Sequence, residues 1–404
     1  MTRRILVAGS VPLAEPWDGA DKNLANLLVR RDPDNHFIVQ TGLAEQWSPL
    51  NVTAIRSRRA DSMPTTAQKL RGLAYLLRHS GSADLIHAVA SLYNPSPWMG
   101  PALRAWSAIR QRPFVHTVTS TGDAPIARRN FVGDATVVVS EHTRRRLEGY
   151  GITNVFRVHP PLEVERLQPK QRTAPEVLAR ELRLGDRAVL YPTHYAEKSG
   201  IREIIQAFSR LHGYPETDDA VLVLACRFHP WQDAEAEKRK VLKQAAEDGI
   251  LDRVRVLHYV ADMPALISAC AVTALVPEKL SGKMDLPLVI LESLVLGRPV
   301  IVADWAPVSE ALLGGGGYAV PHGDVPALAA SISRLLGNLR LRKELAARGR
   351  AAVLKHCSPE RVVGHYQRIY ERVLEPGVRQ TSQESGPSRT SRGDRVLEDR
   401  NGAF

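Results

Sequence analysis

The sequence predicts an α/β protein made of two facing doubly wound domains. Apolar strand-like runs alternate with helical patterns along most of the chain, the mark of parallel sheets covered on both faces. The alternation comes in two series, separated near Pro169 to Pro175 by the polar, proline-bearing stretch LQPKQRTAPEV. A length of 404 residues is too great for one ordinary domain and suits two.

In the first series strands are expected at RRILVAG, HFIVQT, ADLIHAV, RPFVHTV, ATVVVS and VFRVH. Helices such as ADKNLANLLVRR, TAQKLRGLAYLLRH and EHTRRRLEGYG lie between them. In the second series the strands are AVLYPT, AVLVLAC, VRVLHYV, AVTALVP and RPVIVAD, with helices at GIREIIQAFSRL, MPALISAC and PLVILESLVLG. A long helical pattern, DVPALAASISRLLGNLRLRKELAARGRAAVLKH, follows. SPERVVGHYQRIYERVL reads as a last helix, with Ser358 as N-cap and Pro359 at the first helical position. From Pro376 apolar content collapses, as in a disordered tail. The expected layout is a first domain over 1–170 and a second over 171–355. A helix over 356–375 crosses back to the first domain, and a tail fills 376–404. No internal repeat is visible.

Composition narrows the function classes. The chain carries 54 Lys and Arg against 43 Asp and Glu, a net charge of +11. Residues 1–170 hold 22 basic against 14 acidic side chains, so most of the excess lies in the first half. Such a half suits an anionic partner or is simply a solvated basic surface. No nucleic-acid module and no basic stripe interleaved with aromatics is present, which argues against nucleic acid. Cys226, Cys270 and Cys357 are too few and too scattered for a disulfide framework, and no paired cysteines suggest zinc. They read as buried thiols, in keeping with a cytoplasmic location. MTRRILVAGS begins like a signal peptide, but Pro12, Glu15 and Asp18 cut the apolar run short, and it reads as a first strand. No stretch approaches the length of a membrane-spanning helix. TTAQKLRGLAYLLRHSG could lie as a basic amphipathic helix on the inner face of a membrane, or pack on the first sheet, the more ordinary outcome.

In open α/β sheets ligands bind at the carboxyl ends of the strands, where loops lead into helices. Three such places stand out. The helix PLVILESLVLG is apolar except for Glu292. A lone buried charge costs several kcal/mol, so this carboxylate needs a partner or solvent. An exposed stripe would supply solvent, but Leu288, Val289, Leu291, Val295 and Leu296 leave little room for one. A cleft-facing carboxylate that accepts two hydroxyls, such as a ribose diol, would be satisfied. Asp285 and Leu286 precede Pro287 at the start of this helix, where free N–H groups can meet an oxygen-rich ligand. The second place is YPTHYAEKSG, where His194, Lys198, Ser199 and Gly200 stand before a helix. A lysine beside free helix N–H groups suits a diphosphate, although a surface lysine next to a turn glycine is common. The third is VPLAEPWDGADKN, where Gly19 precedes a helix whose first turn carries Asp21. It lacks the GxGxxG pattern of dinucleotide sites and could be an ordinary turn.

Over roughly residues 3 to 373 these elements resemble the family 4 (group 1) glycosyltransferases, which have two Rossmann-like domains in the GT-B arrangement. VVVSEHTRRRLEGYGI is similar to the family's "vSe…r..l…gi" segment, and AVLYPTHYAEKSGIREIIQAF to its strand–loop–helix with "EKG". VRVLHYVADMPALISACAVTALVPE resembles "v.flG.v.dmp.ly..adv.v.PS". LPLVILESLVLGRPVIVAD resembles "fGlvllEAmacGkPVia", the most specific of the four. The resemblance implies a nucleotide-sugar donor in the second domain, with Glu292 on the ribose and Lys198 neutralising the diphosphate. It implies an acceptor (a sugar, lipid or small molecule) on the first domain, near Gly19 and Thr119. It further implies transfer with retention of configuration and no bound metal or cofactor.

The chain departs from the family pattern in three places. The first glutamate of the E-x7-E spacing is Met284, flanked by Lys283 and Asp285. In its place Asp285 could turn toward the sugar hydroxyls as a catalytic group, and Lys283 could serve the phosphates. The family's "GR" is Thr193-His194, so His194 or Arg227 stands in for the missing phosphate-binding arginine. The histidine of the first domain falls on Thr119, and His116, three residues earlier, would face the other way on a strand. The expected function is sugar transfer from a nucleotide sugar, in secondary-metabolite or cell-envelope glycosylation. The alternative is a catalytically silent GT-B protein that binds a sugar nucleotide or partners an active enzyme.

Overall fold

The computed structural model describes residues 2–9, 20–41, 51–56, 66–89, 105–107, 109, 111–122, 131, 133–167, 174–195, 198–228, 233–280 and 284–375. Gly19, Lys283, part of the expected inter-domain stretch and the 376–404 tail lie outside them.

The first sheet contains β1 (Arg4–Gly9), β2 (His36–Thr41), β3 (Val52–Arg56), β4 (Leu85–Val89), β5 (Phe114–Val118), β6 (Ala135–Val138) and β7 (Val155–Arg157). Their order is β3-β2-β1-β4-β5-β6-β7, and the pairings are parallel. The order reverses between β1 and β4, which opens a crevice at the carboxyl ends. Side chains alternate along each strand. Ile5 and Val7 meet Leu24 and Leu28 of α1 (Ala20–Arg31) on one face. Leu6 and Ala8 meet Tyr75 and Leu76 of α2 (Thr66–His79) on the other. The Tyr75 hydroxyl donates to the Ile38 carbonyl at 3.1 Å. The helix considered for a lipid surface is thus packed on the sheet. α3 (Glu141–Gly149) follows β6.

The second sheet contains β8 (Ala188–His194), β9 (Val221–Arg227), β10 (Val254–Leu257), β11 (Val272–Leu275), β12 (Val300–Ala303) and β13 (Gly317–Val320). Its order is β10-β9-β8-β11-β12-β13, again parallel, with the reversal between β8 and β11. The helices are α4 (Pro175–Glu181), α5 (Ile201–Ser209), α6 (Ala234–Glu247), α7 (Met263–Ala269), α8 (Leu288–Val295), α9 (Val325–Gly337) and α10 (Leu339–His356). The long helical pattern after β13 is two helices, because Asn338 leaves helical geometry and its side chain accepts from Leu341 N.

The last helix, α11 (Pro359–Leu374), packs on the first sheet. Val362, Tyr366, Ile369 and Tyr370 join the core around Ile5, Val7 and Val115. Tyr370 shares a hydrogen bond of 2.8 Å with His87 Nδ1, and His87 Nε2 lies 2.8 Å from Thr117 Oγ1. Tyr366 completes the buried chain at 3.0 Å from Thr117. The three cysteines are buried free thiols, and burial pushes those of Cys270 and Cys357 up to about 12. No helix among the described residues is long and apolar enough to cross a membrane.

Candidate functional site

The end of β9 faces α8, where the Arg227 guanidinium acts on Glu292, and the segments after β8 and β11 meet through Lys198 and Glu278. Pro287 sits at the N-cap of α8 with no side-chain cap, so the first N–H groups of the helix are not met by a side chain there. Ile290, Leu291, Leu294 and Val295 anchor the helix in the core. Glu292 keeps some solvent contact but is closely surrounded. Among the described residues its carboxylate has no hydrogen-bond partner. Burial pushes its pKa up to about 7, against the pull of the Arg227 guanidinium. A carboxylate in that state gains from any ligand that brings hydroxyl donors. Arg227 ends β9 and is paired in register with His194 at the end of β8. Leu286 is buried in the core and contributes no polar side-chain group.

The turn before α5 is fixed from below. The Tyr191 hydroxyl donates to the Ser199 carbonyl at 2.7 Å and accepts from Val276 N at 3.3 Å. Gly200, with φ of +80°, caps α5 in left-handed geometry, and an added Cβ there would overlap the Tyr191 hydroxyl and crowd the Val276 carbonyl. Beside it Lys198 pairs with Glu278, and both side chains are partly exposed. The Lys198 carbonyl accepts from Glu278 N at 3.1 Å.

An aromatic group on the same edge was not expected from the sequence. The rings of Tyr195 and His258 meet edge-on at 5.6 Å, and those of Phe228 and His258 at 5.9 Å. They follow β8, β9 and β10 in turn. Their signal was present, one aromatic residue just past each of three successive strands, but each looks ordinary alone.

Asp285 does not turn toward an open cleft. Its Oδ2 accepts from Ser140 Oγ at 2.6 Å and from Thr143 Oγ1 at 2.5 Å, and its N–H donates to the Thr119 carbonyl at 3.1 Å. At 3% exposure it needs internal donors, and the hydroxyls at the start of α3 supply them. Burial raises its pKa, while Ser140, Thr143 and Ser120 oppose the rise. Asp285 therefore ties the second domain to the first. Glu310 makes a second tie, accepting from Glu141 N and His142 N at 2.7 Å each. The Thr119 hydroxyl bonds to Asp21. His116 is buried, its pKa lowered to about 4 by desolvation. No group of three or more His, Cys, Asp or Glu side chains among the described residues could hold a metal ion.

Residues 186–338 match the family described as Glycosyl transferases group 1. A phosphatidyl-myo-inositol mannosyltransferase of Mycobacterium leprae is 26% identical over 311 residues, covering 74% of this chain and 75% of that protein. A glycosyltransferase of Rickettsia africae superposes with a TM-score of 0.72 at 13% identity, covering 93% of this chain and all of that one. Anabaena HepE, crystallised with UDP and glucose, superposes with a TM-score of 0.68 at 15% identity, covering 92% of this chain and all of HepE. The segment that holds Lys198, Arg227 and Glu292 thus matches the group 1 glycosyltransferase model, and the two Rossmann-like sheets share the GT-B fold of these solved glycosyltransferases.

Proposed function

We propose that the chain is a retaining, family 4-type transferase that moves a sugar from a nucleoside diphosphate to an acceptor hydroxyl. The observation that carries this is Glu292, a nearly enclosed carboxylate without a hydrogen-bond partner among the described residues, on a helix that also presents free N–H groups. Glu292 accepts the two ribose hydroxyls of the donor. Lys198, Arg227 and the N-terminus of α5 face the diphosphate and offset the charge that grows on it as the glycosyl C–O bond breaks. His194, paired with Arg227 across β8 and β9, serves as a further donor to the phosphates. The Tyr195, Phe228 and His258 rings offer a flat apolar edge for the base.

The acceptor lies on the first domain, near Thr119 and Asp21. Its oxygen bonds to the anomeric carbon as the nucleoside diphosphate leaves, and its proton passes to the departing phosphate oxygen. The Asp285 carboxylate is held by hydroxyls, so it positions the two domains and does not act as nucleophile. The relative's action on a phosphatidyl inositol and the basic first half support an anionic or membrane-held acceptor at a peripheral, cytoplasmic membrane face. No metal is assigned a role, since cationic side chains and helix N–H groups supply the electrostatic task.

The test follows the anomeric proton by NMR during donor turnover. An α-linked donor should give an α-linked product first. A β-linked first product would overturn the retaining assignment.

A further inference from the structure

The junction of the two domains holds a cavity of about 440 Å³, lined by Glu141, Arg145, Arg157, His159, Glu310, Leu313 and His356. None of these belongs to the donor or acceptor side described above. The walls come from both domains: the start of α3, the end of β7, the turn Val308–Leu312 and the end of α10.

The two carboxylates here are already committed. Glu310 accepts from two N–H groups of α3. Glu141 is held by Arg144 at 2.7 Å and Arg145 at 3.0 Å, and these contacts draw its pKa down to about 2. What is left unspent is cationic or donating. Arg157 is exposed and has no ion-pair partner among the described residues. The half-buried rings of His159 and His356 stand 5.2 Å apart. The fixed charges acting on them are positive: Arg157 and Arg361 on His159, and Lys355, Arg361 and Arg157 on His356. With Glu141 held by Arg144 and Arg145 and Glu310 by two N–H groups, an exposed guanidinium beside two imidazoles is the chemistry that receives a phosphate oxyanion.

We propose that this junction cavity binds a small phosphate dianion, inorganic phosphate or a phosphomonoester, through Arg157, His159 and His356. Because both domains contribute walls, the bound anion ties them together beside the polypeptide crossings. Burial, and then the neighbouring cations, keep both imidazoles neutral near pH 7, with His159 at about 4. An anion favours the imidazolium form. Binding therefore raises both imidazole pKa values and takes up protons.

The experiment titrates inorganic phosphate into the full chain and follows the histidine ring protons by NMR, assigned through His159→Gln and His356→Gln. Both resonances should move toward the imidazolium position, with apparent pKa values raised by about 1 unit or more. Arg157→Gln, an exposed substitution that should leave folding intact, should weaken the response at least about tenfold. Lys198→Ala should leave it unchanged. Glycerol phosphate and vesicles containing phosphatidic acid separate a soluble anion from a lipid headgroup. Resonances that stay still in excess phosphate overturn the proposal. So does a response lost in Lys198→Ala but kept in Arg157→Gln, which would put the anion at the diphosphate site.

Discussion

Replacing Glu292 with glutamine should stabilise the free protein and weaken its hold on the donor. The carboxylate's pKa lies at about 7 in the folded chain, against an ordinary value of 4.5, chiefly through burial. A carboxyl with a raised folded pKa is favourable while protonated and becomes a burden as pH rises through that value. At about 1.4 kcal/mol per pKa unit the burden approaches ~3 kcal/mol above pH 7. The residual solvent contact places the real figure nearer ~2 kcal/mol. Most of it is gone by about pH 5, where the folded-state carboxyl is neutral. Glu292→Gln removes it, so the second domain should melt about 4–8 °C higher at pH 8 and nearly unchanged at pH 5. At pH 8 the variant should bind a nucleotide sugar at least about tenfold more weakly, because hydrogen bonds to a charged acceptor contribute about 1.5–3 kcal/mol, and the gap should narrow at pH 5. Thermal melts at the two pH values and a donor titration read both effects. A variant less stable than the parent at pH 8 would refute the claim that this carboxylate is buried and unsatisfied without ligand.

Further outcomes follow from the same geometry. Lys198→Ala removes a partly exposed pair with Glu278, so melting should change little, while donor affinity falls about tenfold or more. Asp285→Ala removes the acceptor shared by Ser140 and Thr143 and should cost about 2–3 kcal/mol, read as faster amide exchange in residues 140–143. Unchanged exchange there would contradict the inter-domain role. Tyr370→Phe leaves His87 Nδ1 buried without its partner and should lower stability by about 1–3 kcal/mol in a denaturant melt.

The sequence made the two sheets legible where strands are fully buried, because runs such as LVLAC and VIVA contain nothing but core residues. Two edge strands escaped notice for opposite reasons. VTAIR in β3 is only partly buried, so its pattern is diluted, and GYAV in β13 follows three glycines that read as a loop. The candidate site divides in the same way. Glu292 is conspicuous because its own helix is apolar, a local signal. The partners of Asp285, Ser140 and Thr143, lie over 140 positions away, and only the folded chain brings them together. The aromatic edge was spread over three loops, and the cavity at the domain junction needs α3, β7 and α10 side by side.

In the proposed function Glu292 holds a nucleotide sugar on the second domain. The most direct measurement is calorimetric binding of UDP-, GDP-, ADP- and TDP-sugars to the parent chain and to Glu292→Ala. One nucleotide should bind, and the substitution should weaken it at least about tenfold. Binding that the substitution leaves unchanged would contradict the placement of the ribose on Glu292.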